Sequence, residues 1–151
     1  MAVTVRPARR GDVDQLVEAT LGNAFESEGK RLDGAVVRRG VAGLLADPSK
    51  GHSFVAEVDG AFAGSTYVTF EWSDWHAQWY WWIQSAYVVP ARRGTGVWTA
   101  LWKAVLAAAQ KQGDVASVRL YVEDHNELGL RAYRGHGMQE LPYTVFEQRV
   151  G

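Results

Sequence analysis

Residues 87–98 read YVVPARRGTGVW. An apolar run ends at Pro90, two arginines follow, and two glycines stand two apart before Val97. The pattern is strand-like before Pro90 and helical from Val97, so the stretch is a strand-to-helix turn. Gly94 and Gly96 let the backbone approach a ligand with no Cβ in the way. The helix N-terminus behind them offers unpaired N–H groups and the positive end of a dipole, which suit phosphate. Arg92 and Arg93 add charge at the same place. These residues describe a pyrophosphate cradle; they also describe a glycine-rich turn with solvated arginines. A Walker loop is excluded, because no Gly-Lys-Ser/Thr follows. A dinucleotide fingerprint needs three glycines at a different spacing.

Upstream, residues 79–89 are apolar on both faces, as expected of a strand central to a sheet. Residues 71–78 form a polar connection studded with tryptophan. Before it, 52–58 and 61–70 read as paired strands. Phe54, Ala56 and Val58 alternate, and Asp59-Gly60 is a two-residue hairpin signal. Val3 and Val5 mark a first strand ending at Pro7. Asp12 is placed as an N-cap, followed by helical spacing through Val13, Leu16, Val17, Thr20, Leu21 and Ala24. A polar loop at 26–34 leads to a second helix at 35–46, which stops near Asp47-Pro48.

Downstream, Val97, Ala100, Leu101, Ala104, Val105 and Ala108 make one apolar stripe, predicting a helix over 97–112 closed by Gly113. A strand is predicted over 115–123, a short helix from Asn126 to about Gly135, and a last strand over 143–150. The order β-α-α-β-β-β-α-β-α-β predicts a mixed α/β layer fold. No repeat or linker interrupts it, so residues 1–151 are expected to be one domain.

Composition narrows the function classes. The 47% hydrophobic and 22% charged content fits a globular protein. A net charge of −1 gives no bulk field favouring nucleic acid or anionic lipid. The chain has no cysteine, which removes disulfides, thiolate metal sites and cysteine nucleophiles; no metal is expected. No window approaches the roughly 20 apolar residues of a membrane span, and MAVTVRPARRGD lacks the apolar run of a signal peptide. The expectation is a cytoplasmic protein without nucleic-acid or membrane partners, as monomer or homodimer.

A second constellation is EDHNELGLRAYRGHGM, residues 123–138. Asn126 follows a strand, and Tyr133 comes seven residues later, about two helical turns on. Asn126 alone reads as an N-cap, and Tyr133 alone as an amphipathic core residue with its hydroxyl at the edge.

Together, and in this order, the pieces resemble the GNAT superfamily of acyl-CoA-dependent N-acyltransferases, over nearly the whole chain. Family members carry a Q/R-x-x-G-x-G/A loop between a central strand and a long helix. Here it reads Arg93-Gly94-Thr95-Gly96-Val97-Trp98, preceded by YVVP; Trp98 stands where Gly or Ala is usual. The second signature matches as Asn126, Tyr133 and Gly137-Met138, with Met in place of an aromatic. The resemblance implies a mostly antiparallel central sheet flanked by about four helices, its strands splayed at a coenzyme A site. It implies that acetyl-CoA is the cofactor and a small-molecule or peptide amine the acceptor. Backbone groups of Ala86, Tyr87 and Val88 would pair with the pantetheine arm. The diphosphate would sit on N–H groups of Gly94, Thr95, Gly96 and Val97, beside Arg92, Arg93 and Trp98, and Asn126 would bond the pantetheine. An N–H near Tyr87 or Val88 would steady the oxyanion, and Tyr133 would protonate the thiolate leaving group.

Many family members have a Glu in the strand before the loop, and here WYWWIQSAYV has no carboxylate; Trp82 occupies the corresponding position. Glu71, Asp74, His76, Glu123 and Asp124 are candidates acting through a water, Glu71 foremost, although each also reads as a solvated charge. Gln84 and Ser85 are suited to orient a substrate, as are Phe25 and Glu26 at the first helix-to-helix connection. The tryptophans at 72, 75, 79, 81 and 82 leave three readings open: packing, an aromatic wall for an amine or flat ring, or a dimer contact. Trp81 and Trp82 are expected in the core, with Trp72, Trp75 and Trp82 reaching the acceptor pocket. The rival classes are a non-catalytic acyl-CoA sensor and a tryptophan-rich glycan-binding module.

Overall fold

Five strands form one sheet in chain order: β1 (Val3–Pro7), β2 (His52–Val58), β3 (Ala61–Ser73), β4 (Gln78–Val88) and β5 (Val115–Leu120). Neighbours are antiparallel except β4 and β5, which are parallel. The computed structural model describes residues 2–151 and divides into two units, Met1–Tyr121 and Val122–Gly151. The first holds the sheet with helices α1 (Val13–Glu28), α2 (Gly34–Ala46) and α3 (Val97–Gln112). The second holds α4 (Glu127–Gly135).

The hairpin signal is realised: Asp59 and Gly60 both take positive φ, 53° and 76°, the primed turn that matches strand twist. β3 runs three residues further than its alternation suggested, because Glu71, Trp72 and Ser73 pair with Tyr80, Trp79 and Gln78. The polar connection therefore shrinks to four residues, 74–77.

The helices take opposite faces of the sheet. Val88 packs with Val97 and Leu101 of α3. A Cβ at Gly22 of α1 would stand 3.1 Å from the hydroxyl of Tyr87. Adjacent strand residues point oppositely, so α1 and α3 flank β4 from two sides. The core on the α3 side gathers Ala56, Val58, Ala63, Val97 and Leu101, with Trp98 packed against it. Trp98 thus serves as a packing residue at the start of α3.

Three expectations change. Asp12 does not cap α1 through its side chain. It is buried and receives two 2.8 Å hydrogen bonds from Arg6, plus one from the Arg9 N–H, a pairing across 6 residues that helix periodicity does not reveal. α1 continues through Glu28, so Glu26 belongs to a helix and not to the following loop. Residues 143–150 form no strand and every one is exposed.

Candidate active site

The turn after β4 is shaped by its two glycines. Gly94 has φ 75° and Gly96 φ 92°, a region costly for residues with a Cβ. Nothing lies within 4 Å of where a Cβ would sit at either, so the surface above both is open. Gly96 is the N-cap of α3, and its carbonyl accepts the first helical bond, from Ala100 N–H at 3.0 Å. Helix geometry leaves the first-turn N–H groups, Val97 among them, directed out of the helix end. The Thr95 hydroxyl donates to the Arg92 carbonyl at 2.5 Å, which folds the turn back on itself. These features fit an anionic diphosphate on backbone N–H groups.

Arg93, expected beside the diphosphate, is engaged by groups of β4 and α1. Its Nε donates to the Val88 carbonyl at 2.9 Å, and its terminal nitrogen to Glu26 at 2.5 Å. The guanidinium lies 5.4 Å from the Tyr87 ring centre. Because α1 runs past Glu26, that carboxylate reaches the turn and takes the arginine. Arg93 therefore fastens β4 and the turn to α1.

β4 leaves β5 where a ligand backbone would enter. The β4–β5 ladder ends at Ile83 opposite Leu120, while β4 stays paired with β3 as far as Val88 opposite Gly64. The edge of Ala86, Tyr87 and Val88 that faces away from β3 thus has no strand partner among the described residues. β5 itself ends at Leu120, and a bulge in β4 falls at the same level. Tyr67 pairs with Ser85 and Val68 with Ile83, leaving Gln84 as the extra residue.

The bulge also decides which side chains share a face. Trp81 is buried against His52 and Phe70. His52 shares the strand parity of Phe54, which packs on the α3 core. Tyr80 and Trp82 therefore lie on the α1 side. Past Gln84 the parity shifts, and Ser85 and Tyr87 join them: Asn23 of α1 donates to Ser85 at 3.5 Å. One continuous face results. Trp82 donates from Nε1 to Glu71 at 2.9 Å and stacks on Tyr121 at 4.4 Å between ring centres. Arg119 lies 3.7 Å over Tyr80 and 5.8 Å from Trp82. Gln84 donates to Thr69 at 2.9 Å.

The tryptophan cluster divides accordingly. Trp81 is core as expected, but Trp82 is only half-buried, because its indole N–H is drawn to Glu71. Trp72 pairs edge-on with Trp79 at 5.0 Å, in the register that places it on the α3 side, away from Trp82. Trp75 is 84% exposed on the turn. Trp72 and Trp82 cannot form one wall. Phe25 is half-exposed beneath Arg31, whose guanidinium stands 4.7 Å away. An open hollow of about 410 Å³ reaches from His76 and Gln78 to Tyr80 and Arg119. Arg119, Tyr121 and Asn23 were not singled out from sequence, because their place depends on strand register.

In the second unit, Asn126 caps α4, accepting from Gly129 N–H at 3.0 Å. Its amide NH₂ remains as a donor. Burial pushes the Tyr133 phenol above its ordinary value, so it holds its proton at neutral pH. The Glu123 carboxylate accepts from the His125 ring and backbone. Among the described residues, no group of three His, Cys, Asp or Glu is placed to hold a metal, and no helix is long and apolar enough to cross a membrane.

A family model described as the acetyltransferase (GNAT) family matches residues 14–138. A solved structure of a possible acetyltransferase from Clostridium difficile 630 is 33% identical, with 99% of each chain covered and a TM-score of 0.92. A predicted acetyltransferase from Clostridium acetobutylicum, solved with acetyl-CoA, is 18% identical over 97% of this chain and 96% of that one, TM-score 0.78. An aminoglycoside acetyltransferase from an uncultured soil metagenomic sample, solved with sisomicin, is 14% identical over 99% and 97%, TM-score 0.77; these two share the fold. No curated protein matches.

Proposed function

The chain belongs to the GNAT acetyltransferase family, and from that premise we propose that it transfers the acetyl group of acetyl-CoA to a primary amine of a small molecule or peptide by direct attack in a ternary complex. The observation that carries this is the parting of β4 from β5 after Ile83, beside the open turn at Gly94 and Gly96.

Bound acetyl-CoA supplies an activated thioester. N–H groups of Gly94, Thr95, Gly96 and Val97 would hold its diphosphate, with Arg92 alongside, and the edge of Ala86, Tyr87 and Val88 that lacks a strand partner would take the pantetheine as an added strand, Val88 through its N–H because Arg93 holds its carbonyl. Of the two N–H groups expected near the oxyanion, that of Tyr87 faces β3, since Val89 two residues on donates to Ala63 of β3, and that of Val88 faces the ligand edge and would stabilise negative charge on the carbonyl oxygen. The Asn126 amide donates to the pantetheine, and Tyr133 delivers the proton that the departing thiolate needs.

The acceptor lies along the face of Gln84, Trp82 and Glu71, bounded by Phe25 and Glu26. Trp72 and Trp75 are left out of this wall by their positions. Glu71 stands at the register of Tyr80, seven residues before Tyr87 and thus roughly 20 Å along the strand. At that distance a base role for Glu71 requires a chain of several waters, longer than the single bridging water a general base ordinarily uses.

A thermal melt tests the cofactor. Acetyl-CoA or desulfo-CoA at about a hundred times its dissociation constant adds roughly 2.7 kcal/mol, a rise on the order of 5–10 °C for a domain of this size, with little from ATP. No shift with either CoA ligand refutes the assignment. With a shift in hand, free CoA release across a panel of amines, aminoglycosides included, reads the transfer. A shift with no release from any amine would mark a non-catalytic acyl-CoA-binding protein.

A further inference from the structure

Arg93 opens the turn that carries Gly94 and Gly96, yet its guanidinium is committed elsewhere. Its Nε takes the Val88 carbonyl, and its terminal nitrogen takes Glu26 of α1. That carbonyl points the same way as the Val88 N–H, away from β3 and along the edge that lacks a strand partner. Arg93 thus covers one of the polar groups that an added strand would use. The guanidinium stands 5.4 Å from the ring of Tyr87, on the α1 side of β4. The Tyr87 hydroxyl reaches Glu26 at 3.5 Å, one helical turn beyond Gly22, whose missing Cβ seats the ring under α1. Burial, and then the charge of Glu26, raise the Tyr87 phenol above its ordinary value, so it keeps its proton and donates. The start of α3 packs on the other face, through Val97 against Val88. The charge of the turn and its open N–H groups are therefore turned to different sides of β4, and Arg93 must leave Glu26 to meet an anion on those N–H groups.

Resting on the acetyl-CoA reading above, we propose that Glu26 is a positioning residue for the cofactor, acting through Arg93. It holds the guanidinium against α1 in the free protein and yields it to the diphosphate when acetyl-CoA binds. In the free protein the same contact blunts an open strand edge. The exchange runs downhill. Arg93 and Glu26 are each about half-exposed, and ion pairs of that kind contribute little. A diphosphate offers more than one negative charge and oxygens spaced for a bidentate guanidinium. Departure of Arg93 also opens the Val88 carbonyl, so the added strand gains an acceptor beside the Val88 N–H. Glu26 keeps the Tyr87 hydroxyl as its donor.

Isothermal titration calorimetry with acetyl-CoA on the full chain reads the exchange. Glu26→Gln is expected to bind about 2–5-fold tighter than the unsubstituted chain, because no charge then holds Arg93 back. A residue that only braced the fold would lose affinity when replaced. Arg93→Gln is expected to bind more weakly, and in its background Glu26→Gln changes nothing. This cycle separates the exchange from a general repulsion between Glu26 and the diphosphate, which persists without Arg93. Both side chains are about half-exposed, so the variants keep the circular dichroism of the folded chain. Unchanged or weaker binding by Glu26→Gln, or a tightening that survives Arg93→Gln, overturns the proposal and leaves the acetyl-CoA reading standing. No binding of acetyl-CoA by the unsubstituted chain overturns both.

Discussion

Tyr133 and Glu71 carry opposite demands at the level of single residues. A proton donor to a thiolate must hold its proton until the bond breaks, and burial of the Tyr133 phenol raises it in that direction. Tyr133→Phe is expected to lower kcat by about 10²–10⁴-fold with little change in the acetyl-CoA-induced melting shift; an unchanged rate across pH removes the donor role. Glu71 is tied to the Trp82 indole, so Glu71→Gln separates two functions. A base acting through water loses kcat and flattens the acidic limb of the pH–rate profile. An acceptor anchor raises KM alone, and that outcome strips Glu71 of its catalytic role. The glycines of the turn and the Asn126 cap were legible in sequence, because each acts through its own backbone. The engagement of Arg93 by Glu26, and the stack of Arg119 on Tyr80, were not. Those partners lie 67 and 39 positions apart in sequence and meet only once strand register and helix length are set.

At the scale of elements, the hinge between β1 and α1 rests on one ion cluster. Arg6 binds Asp12 through two nitrogens and Glu57 through the third, joining β1, β2 and the entry to α1. The Arg6 hydrogen bonds hold the Asp12 carboxyl below its ordinary range, against the opposing effect of burial. A carboxylate with a depressed folded value contributes stability above its unfolded pKa, about 3.9, and loses it as pH falls through the folded value. Asp12→Asn is expected to cost about 2–3 kcal/mol at pH 7 and to flatten the stability curve below about pH 4. Urea melts at pH 3 and pH 7 check both; an equal loss at the two pH values rejects the linkage. Helix α3 was legible almost to the residue, since a stripe of apolar side chains and a closing glycine are local signals. The bulge at Gln84 was not. An extra residue in a strand of continuous apolar character leaves the alternation intact to the eye, yet it turns Ser85 and Tyr87 to the face of Trp82.

Across the whole molecule, burial is uneven. Val55, Val58, Val68, Val105 and Leu101 are at 0% exposure within Met1–Tyr121, whereas residues of Val122–Gly151 are at most partly buried, Tyr133 among them. Local opening costs little where few apolar groups must be exposed to water. Amide exchange should therefore separate the two. Protons of β2, β3 and the middle of α3 exchange only with global unfolding. Those of α4 exchange orders of magnitude faster, despite intact helical hydrogen bonds. Acetyl-CoA raises global protection by binding the folded state. If the Asn126 amide donates to that ligand, α4 slows as well, and by more than the loop at Asp59 and Gly60, which serves as an internal reference. Protection of α4 that already equals that of β3 without ligand contradicts this view of the second unit. A ligand that protects the turn at Gly94 and Gly96 but leaves α4 unchanged removes Asn126 from the binding set while leaving the diphosphate site standing.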